Sequence, residues 1–207
     1  MNETKQKILD TAERLFAEHG YSATSLRHII ADAGVNLAAI HYHFGTKQDL
    51  LDQLIVRKAG PMNDRRLKLL DQFEAEAAPA APSIEKIMEA LIAPAVMTEK
   101  SPEFVKLFGR LISEGLMSDI AQRHFQPMIA RFMSALHKAL PGIVETELQW
   151  KMRFVVGAMA HTLMSRPGTS PNGAAESPMA ISRMLVAFVS SGLRASAATD
   201  HEIEVNQ

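Results

Sequence analysis

The side chains best suited to chemistry fall between Thr24 and Lys47, in the stretch TSLRHIIADAGVNLAAIHYHFGTK. Thr24, Tyr42 and Lys47 offer hydroxyl and ammonium donors of the kind that hold a phosphodiester. Thr46 and Lys47 open a predicted helix, where backbone N–H groups and a lysine converge on an anion. Between these residues stand groups that fit base edges. Leu37, Ala38 and Ala39 can meet thymine methyls, and His41 can donate to a guanine or thymine acceptor. Beyond its cap Asn36 the same helix carries no Asn, Gln or Arg, so direct readout is expected to be modest. Arg27, His28 and His43 complete the candidate set, with DNA shape sharing the work. His41 and His43 lie two apart and face different ways on a helix, with no carboxylate at ligand spacing, so no metal site is expected.

Positioning these groups requires a short helix, a glycine turn and a second short helix. Leu26, Ile29, Ile30 and Ala33 recur at helical spacing, with Thr24 expected as the N-cap. Gly34 can take the left-handed conformation of a tight turn, and Val35 fills the angle between the helices. Asn36 is the expected cap of the next helix, with Ile40 and Phe44 facing in. Thr46 and Asp49 form a capping box that starts a supporting helix. Ahead of all this, Lys5 to His19 form a bracing helix whose buried stripe is Ile8, Leu9, Ala12, Leu15 and Phe16, stopped by Gly20.

The pattern Thr-Ser-x-x-x-Ile-x-x-x-Ala-Gly-Val-Asn-x-x-x-Ile-x-Tyr-His-Phe-Gly-Thr-Lys resembles the DNA-binding domain of the tetracycline-repressor (TetR) family. The resemblance runs from about Lys5 to Leu54 and includes Tyr42-His43-Phe44 ahead of Thr46-Lys47. It is strongest to a subgroup whose turn reads Val-Asn-Leu-Ala-Ala; many relatives outside it have glycine where Ala38 stands. The resemblance implies an all-α protein of about nine helices, with an N-terminal helix-turn-helix domain joined by a connecting helix to a C-terminal helical domain. It implies a ligand-responsive, sequence-specific transcriptional regulator, a repressor released from double-stranded operator DNA by a small effector held among the C-terminal helices.

Composition agrees with an all-helical chain. Of 207 residues 47% are hydrophobic, ample for a core, while Gly is sparse and Ala, Leu, Met, Glu and Lys abound. Cysteine is absent, which excludes disulfides, thiolate nucleophiles and Cys-bound zinc. No nucleophile–base spacing, glycine-rich phosphate loop or carboxylate pair is present, so no enzyme and no cofactor is expected. A helical lipid or acyl carrier with a merely structural helix-turn-helix is the other class to weigh; it predicts no salt-dependent retention on DNA. The opening MNETKQK predicts no signal peptide, and the run FVVGAMAHTLM is too short to span a bilayer, so a cytoplasmic protein with no membrane partner is expected. The net charge of −1 excludes coating nucleic acid by charge alone and demands a few placed contacts.

The expected domains are 1–54 for DNA binding, 55–198 for ligand binding and dimerisation, and a disordered tail over 199–207. Gly60-Pro61 is expected to interrupt or kink the supporting helix, and AAPAAP to be a linker. Further helices are expected after Ser83, from Pro102 to Gly115, from Asp119 to Leu140 with a bend at Pro127, from Glu145 to Ser165 and from Ser177 to Ala195. Methionines and aromatics predict an adaptable apolar interior, with Trp150 among its members. The candidate ligand residues are Met88, Phe104, Phe108, Met128, Met152 and Met159, with Arg110, His161 and Thr162 at the polar end; a fatty acyl compound is the kind of effector they suit. Arg110 and Glu114, four apart, are expected to pair with each other. Small residues beside larger apolar ones on the last two helices, namely Gly157, Ala158, Met184, Ala187, Phe188, Ser191 and Gly192, predict the close helix contacts of a homodimer built on a four-helix interface.

Overall fold

In the computed structural model, the stripe at positions 8, 9, 12, 15 and 16 makes one helix, α1 (Glu3–His19), with all five of those side chains buried. Gly20, at φ 90°, ends it. The structure describes residues 3–36, 38, 42–97, 102–164 and 176–196, and all regular secondary structure among them is helical. No helix among the described residues is long and apolar enough to cross a membrane. The loop expected over 166–176 and the tail over 199–207 lie largely or wholly outside the described residues.

After α1 come α2 (Leu26–Ala33), a segment in which the described residues Ala38, Tyr42 and His43 are helical, and α3 (Lys47–Ala77). Then follow α4 (Ile84–Met97), α5 (Pro102–Ser113), α6 (Met117–Ile120), a π turn (Ala121–Phe125), α7 (Gln126–Ala139), α8 (Glu145–Met164) and α9 (Pro178–Arg194). Local chemistry sets several of these ends. Thr46 and Asp49 cap α3 reciprocally: Asp49 Oδ2 accepts from Thr46 N–H at 3.1 Å, and Thr46 Oγ1 accepts from Asp49 N–H at 3.1 Å. Ser83 accepts from Lys86 N–H, and Ser177 from Ala180 N–H just ahead of a proline in the first turn of α9.

Two prolines act differently from expectation. Gly60-Pro61 does not interrupt α3, which runs through both residues. Pro61 removes one backbone donor, but Leu54, Ile55 and Ala59 before it and Arg66, Leu70 and Phe73 after it are all buried, and their burial favours continuing the helix. At Pro127 the disturbance takes the form of a π turn. The proline cannot donate to the Arg123 carbonyl, and the helix widens over Ala121–Phe125 directly ahead of it.

The chain forms two compact units that do not follow the expected division at residue 54. The first is Met1–Arg65 with Thr98–Ile129, and the second is Arg66–Met97 with Ala130–Gln207. The first takes in the later segment because α5 packs on α1. Helix α1 is also braced to the start of α3 by charge. Arg57 reaches Asp10 at 2.8 Å and Glu13 at 3.3 Å, and Lys58 reaches the buried Glu13 at 2.7 Å. In the second unit α9 packs along α4 and against α8, and its core includes Ile87, Met88, Leu91, Leu148, Met152, Leu185 and Val189. Trp150 does not join this interior: it is 57% exposed.

Candidate nucleic-acid interface

The first helix and the glycine turn follow the sequence expectation, with one change at the entry. Ser25, not Thr24, caps α2, its Oγ accepting from His28 N–H at 3.1 Å. Thr24 is turned inward, only 1% exposed, and donates its hydroxyl to the carbonyls of Gly20 at 2.7 Å and Leu15 at 3.3 Å. Its side chain is therefore buried away from any phosphate; the hydroxyl at the helix start is that of Ser25. Gly34 ends α2 at φ 59°, and the N–H of Val35 returns to the Ile30 carbonyl, the closing turn that a left-handed residue permits.

On the outward side, Arg27 and His28 are exposed, and the His28 ring lies 5.6 Å from that of His19. Ala38 is exposed, and Tyr42 is 84% exposed, stacked edge-on with His43 at 4.9 Å. Phe44, two residues on, is buried, with the Lys5 ammonium over its ring. Asn36 precedes this segment, and Leu37, Ala39 and His41 lie outside the described residues. Thr46 is exposed, but its hydroxyl is 2.6 Å from Asp49 Oδ2, so the capping box already occupies it.

Lys47 has a role that spacing alone does not reveal. Its Nζ donates to the carbonyls of Tyr21 and Thr24, both at 2.9 Å, and stands 4.2 Å from the centre of the Tyr21 ring. The same turn is held from its other side by Glu114, just past α5. Its carboxylate accepts from the N–H of Tyr21 at 2.9 Å, the N–H of Ser22 at 2.8 Å and the hydroxyl of Ser22 at 2.6 Å. The expected Arg110–Glu114 pair is thus replaced. Arg110 donates to the Glu18 carbonyl at 3.2 Å and acts on Glu114 only through its nearby charge. Desolvation works to raise the Glu114 carboxyl, but the Ser22 and Tyr21 donors and Arg110 together hold it below the ordinary value.

A second carboxylate in the same unit is fixed in the same way. Asp52 Oδ1 accepts from Gln48 at 3.1 Å, and His124 Nε2 lies 2.7 Å and Arg123 Nε 3.3 Å from it. Burial pushes the Asp52 carboxyl up, while His124, Gln48 and Arg123 outweigh that and bring it below its usual range. Both carboxylates have lowered pKa values in the fold, so the stability they contribute is complete above the ordinary carboxyl range. It is lost as pH falls through their lowered values. Among the described residues of this segment, the Tyr42 ring, Arg27 and His28 are exposed.

Comparison with known proteins agrees with this geometry. The sequence profile of the tetR family of bacterial regulatory proteins matches residues 8–54. That of the tetracyclin repressor-like C-terminal domain matches residues 89–192, half of the chain. The chain belongs to the TetR family. The HTH-type transcriptional regulator AcrR of Shigella flexneri is 50% identical over 52 residues, 25% of this chain and 24% of that protein. SrpR of Pseudomonas putida, another HTH-type transcriptional regulator, is 27% identical over 139 residues, 67% of this chain and 60% of that protein. A TetR-family transcriptional regulator from Streptomyces coelicolor has the same fold, with a TM-score of 0.61 at 19% identity, covering 93% of this chain and 89% of that one.

In this TetR-family chain the expected ligand residues fall in both units. Phe104, Phe108, Arg110 and Met128 belong to the first, and Met88, Met152, Met159, His161 and Thr162 to the second. Met88, Met128 and Met152 are buried, and the rings of Phe104 and Phe108 stack at 5.9 Å. Arg110 is exposed, Thr162 donates to the Ala158 carbonyl at 2.8 Å, and His161 faces outward on α8. The sequence reading overlooked Arg66, which is 3% exposed and donates to the Leu91 carbonyl at 2.7 Å. Its position one and two turns before the buried Leu70 and Phe73 was the available signal.

Met184, Ala187, Phe188, Ser191 and Gly192 form an exposed stripe on α9, with Phe188 71% exposed. Gly157 is exposed and Ala158 half-buried on α8; a Cβ added at Gly157 or Gly192 would meet nothing within 4 Å. Two aromatics not expected there extend the α8 stripe, Trp150 and the 66% exposed Phe154, with Arg153 over the Trp150 ring.

The bracing role of Lys47 is testable. Lys47→Met removes two charge-assisted hydrogen bonds, about 3 kcal/mol at the low end of the usual magnitude. For a chain of this size that lowers the melting temperature by about 6–12 °C. An unchanged melting temperature in calorimetry contradicts the brace.

Proposed function

We propose that this chain is a ligand-controlled transcriptional repressor that binds operator DNA as a homodimer. The observation that carries the reading is the exposed Tyr42 ring on a helix-turn-helix whose Phe44, Ile29 and Ala33 are all buried. An aromatic hydroxyl held outward on so rigid a base suits a phosphate contact, with Arg27, His28 and Ala38 exposed in the same helix-turn-helix. Lys47 keeps donor capacity beyond its two carbonyl bonds and is assigned the adjoining phosphate. Leu37, Ala39 and His41 are assigned to bases, with Asn36 just ahead of them in the sequence. With few bidentate readers, sequence preference rests in part on DNA shape.

The dimer is assigned to the exposed stripes of α8 and α9. Two such pairs related by a two-fold axis bury Trp150, Phe154, Met184 and Phe188, all largely exposed in one copy. Two recognition helices then meet successive major grooves about 34 Å apart. The effector is an apolar compound such as a fatty acyl chain, bound among the methionines of the helical domain. By favouring a form whose recognition helices are off that spacing, it releases the DNA.

Two experiments test this reading. Gly192→Arg places a long charged side chain on the stripe and is expected to shift the protein towards monomer in sedimentation, with weaker operator binding; an intact dimer moves the interface elsewhere. DNA selected from a random pool is then titrated with acyl chains, flat aromatics and cationic drugs. Coupling of about 2 kcal/mol makes effector and DNA weaken each other roughly thirtyfold. Release by no compound, or equal effector affinity with and without operator, contradicts control by a ligand.

A further inference from the structure

We propose that Lys5 and Lys7, near the start of α1, are two further contacts to the DNA backbone, one at each end of the reading segment. The proposal rests on the DNA-binding reading and extends its surface to α1. Lys7 is exposed, and its Nζ lies 3.7 Å from where a Cβ on Gly34 would stand, at the turn from which the reading segment starts. Lys5 is half-buried, and its Nζ lies 5.7 Å from the centre of the Phe44 ring. Phe44 closes the segment, two residues past the exposed Tyr42. All of these residues belong to the first unit. Being two apart, the lysines leave α1 on different sides, which is how they reach different ends of the segment.

Most cations of this unit have a partner that accounts for them. Arg14, Arg57, Lys58 and Arg123 are held by carboxylates, and Lys47 and Arg110 by carbonyls. Among the described residues neither Lys5 nor Lys7 forms an ion pair, and Glu3, four residues before Lys7, does not pair with it. Lys5 also stands in the first turn of α1, near the positive end of the helix dipole, where a cation costs stability. The placement is unfavourable for the isolated fold and favourable for a polyanion brought to the reading segment. An ammonium on a long flexible stem meets a phosphate oxygen without a preset geometry, so such contacts add affinity and register but no base preference. Lysines that only face solvent release no counterions when DNA binds.

The test uses the full-length protein with a duplex selected from a random pool and a scrambled duplex of the same composition. Affinity is followed by fluorescence anisotropy from about 50 to 200 mM salt, and sedimentation counts the chains on each duplex. Lys5→Gln and Lys7→Gln are each expected to flatten the slope of log affinity against log salt by about 0.9 per bound chain. Each is expected to weaken the selected and scrambled duplexes by the same factor, and the double variant to lose about twice the slope. Lys5→Arg and Lys7→Arg keep the charge and are expected to keep the wild-type slope. Melting temperatures of the Gln variants are expected to equal or slightly exceed that of the wild type, which a bracing role for either lysine would not allow. An unchanged slope in either Gln variant overturns the proposal and leaves the DNA-binding reading standing. A weakening confined to the selected duplex, or a slope that arginine does not keep, also overturns it. Failure of the wild type to retain any duplex from the pool overturns the DNA-binding reading and the proposal with it.

Discussion

The turn from Gly20 to Thr24 leaves backbone donors and acceptors that neither α1 nor α2 can satisfy, and two charges from distant parts of the chain meet them. Glu114 takes the N–H groups of Tyr21 and Ser22, and Lys47 serves the carbonyls of Tyr21 and Thr24. The Thr24 hydroxyl closes the turn on the Gly20 and Leu15 carbonyls. Gly20 is required twice over. Its φ of 90° suits glycine, and a Cβ there would overlap Glu114 Oε1. The entry angle of α2, and with it the reading segment that follows Gly34, depends on this joint.

Ion pairs elsewhere in the first unit bear on how a helix-turn-helix coexists with a net charge of −1. Many cations of the first unit are engaged internally. Arg14 pairs with Asp32 and Glu18, Arg57 and Lys58 with the acids of α1, and Arg123 with Asp52. They fix the relative placement of helices and add little general field around the domain. On the proposed reading, DNA affinity then comes from a few exposed groups held in register, and its salt dependence reflects those few contacts.

Much of the fold was legible because short-range chemistry governs it. The α1 stripe, the Gly34 turn, the Thr46–Asp49 box and the Ser177-Pro178 start are decided within a turn of chain, and each occurs where its residues put it. What was not legible depended on partners far along the sequence. Thr24 and Ser25 are adjacent hydroxyls, and burial against the end of α1 decides which of them caps. Glu114 sits at helical spacing from Arg110, yet two backbone N–H groups and a hydroxyl outbid that local pairing. Trp150 reads as interior by its chemistry, but α8 already fills its inward face with Leu148, Met152 and Val155, leaving Trp150 and Phe154 outside. Arg66 reads as surface by its charge, and only the stripe it shares with Leu70 and Phe73 marks it as buried.

The claim on which the account turns is that the Glu114 carboxylate holds the joint between α1 and α2. Amide hydrogen exchange at Tyr21 and Ser22, followed residue by residue in the wild type and in Glu114→Ala, tests it directly. The account predicts slow exchange at both amides in the wild type and exchange about tenfold or more faster in the variant, as loss of hydrogen bonds to a charged acceptor implies. Amides of the α3 core, such as that of Leu54, are expected to be unchanged. Equal rates at Tyr21 and Ser22 in the two proteins would contradict it.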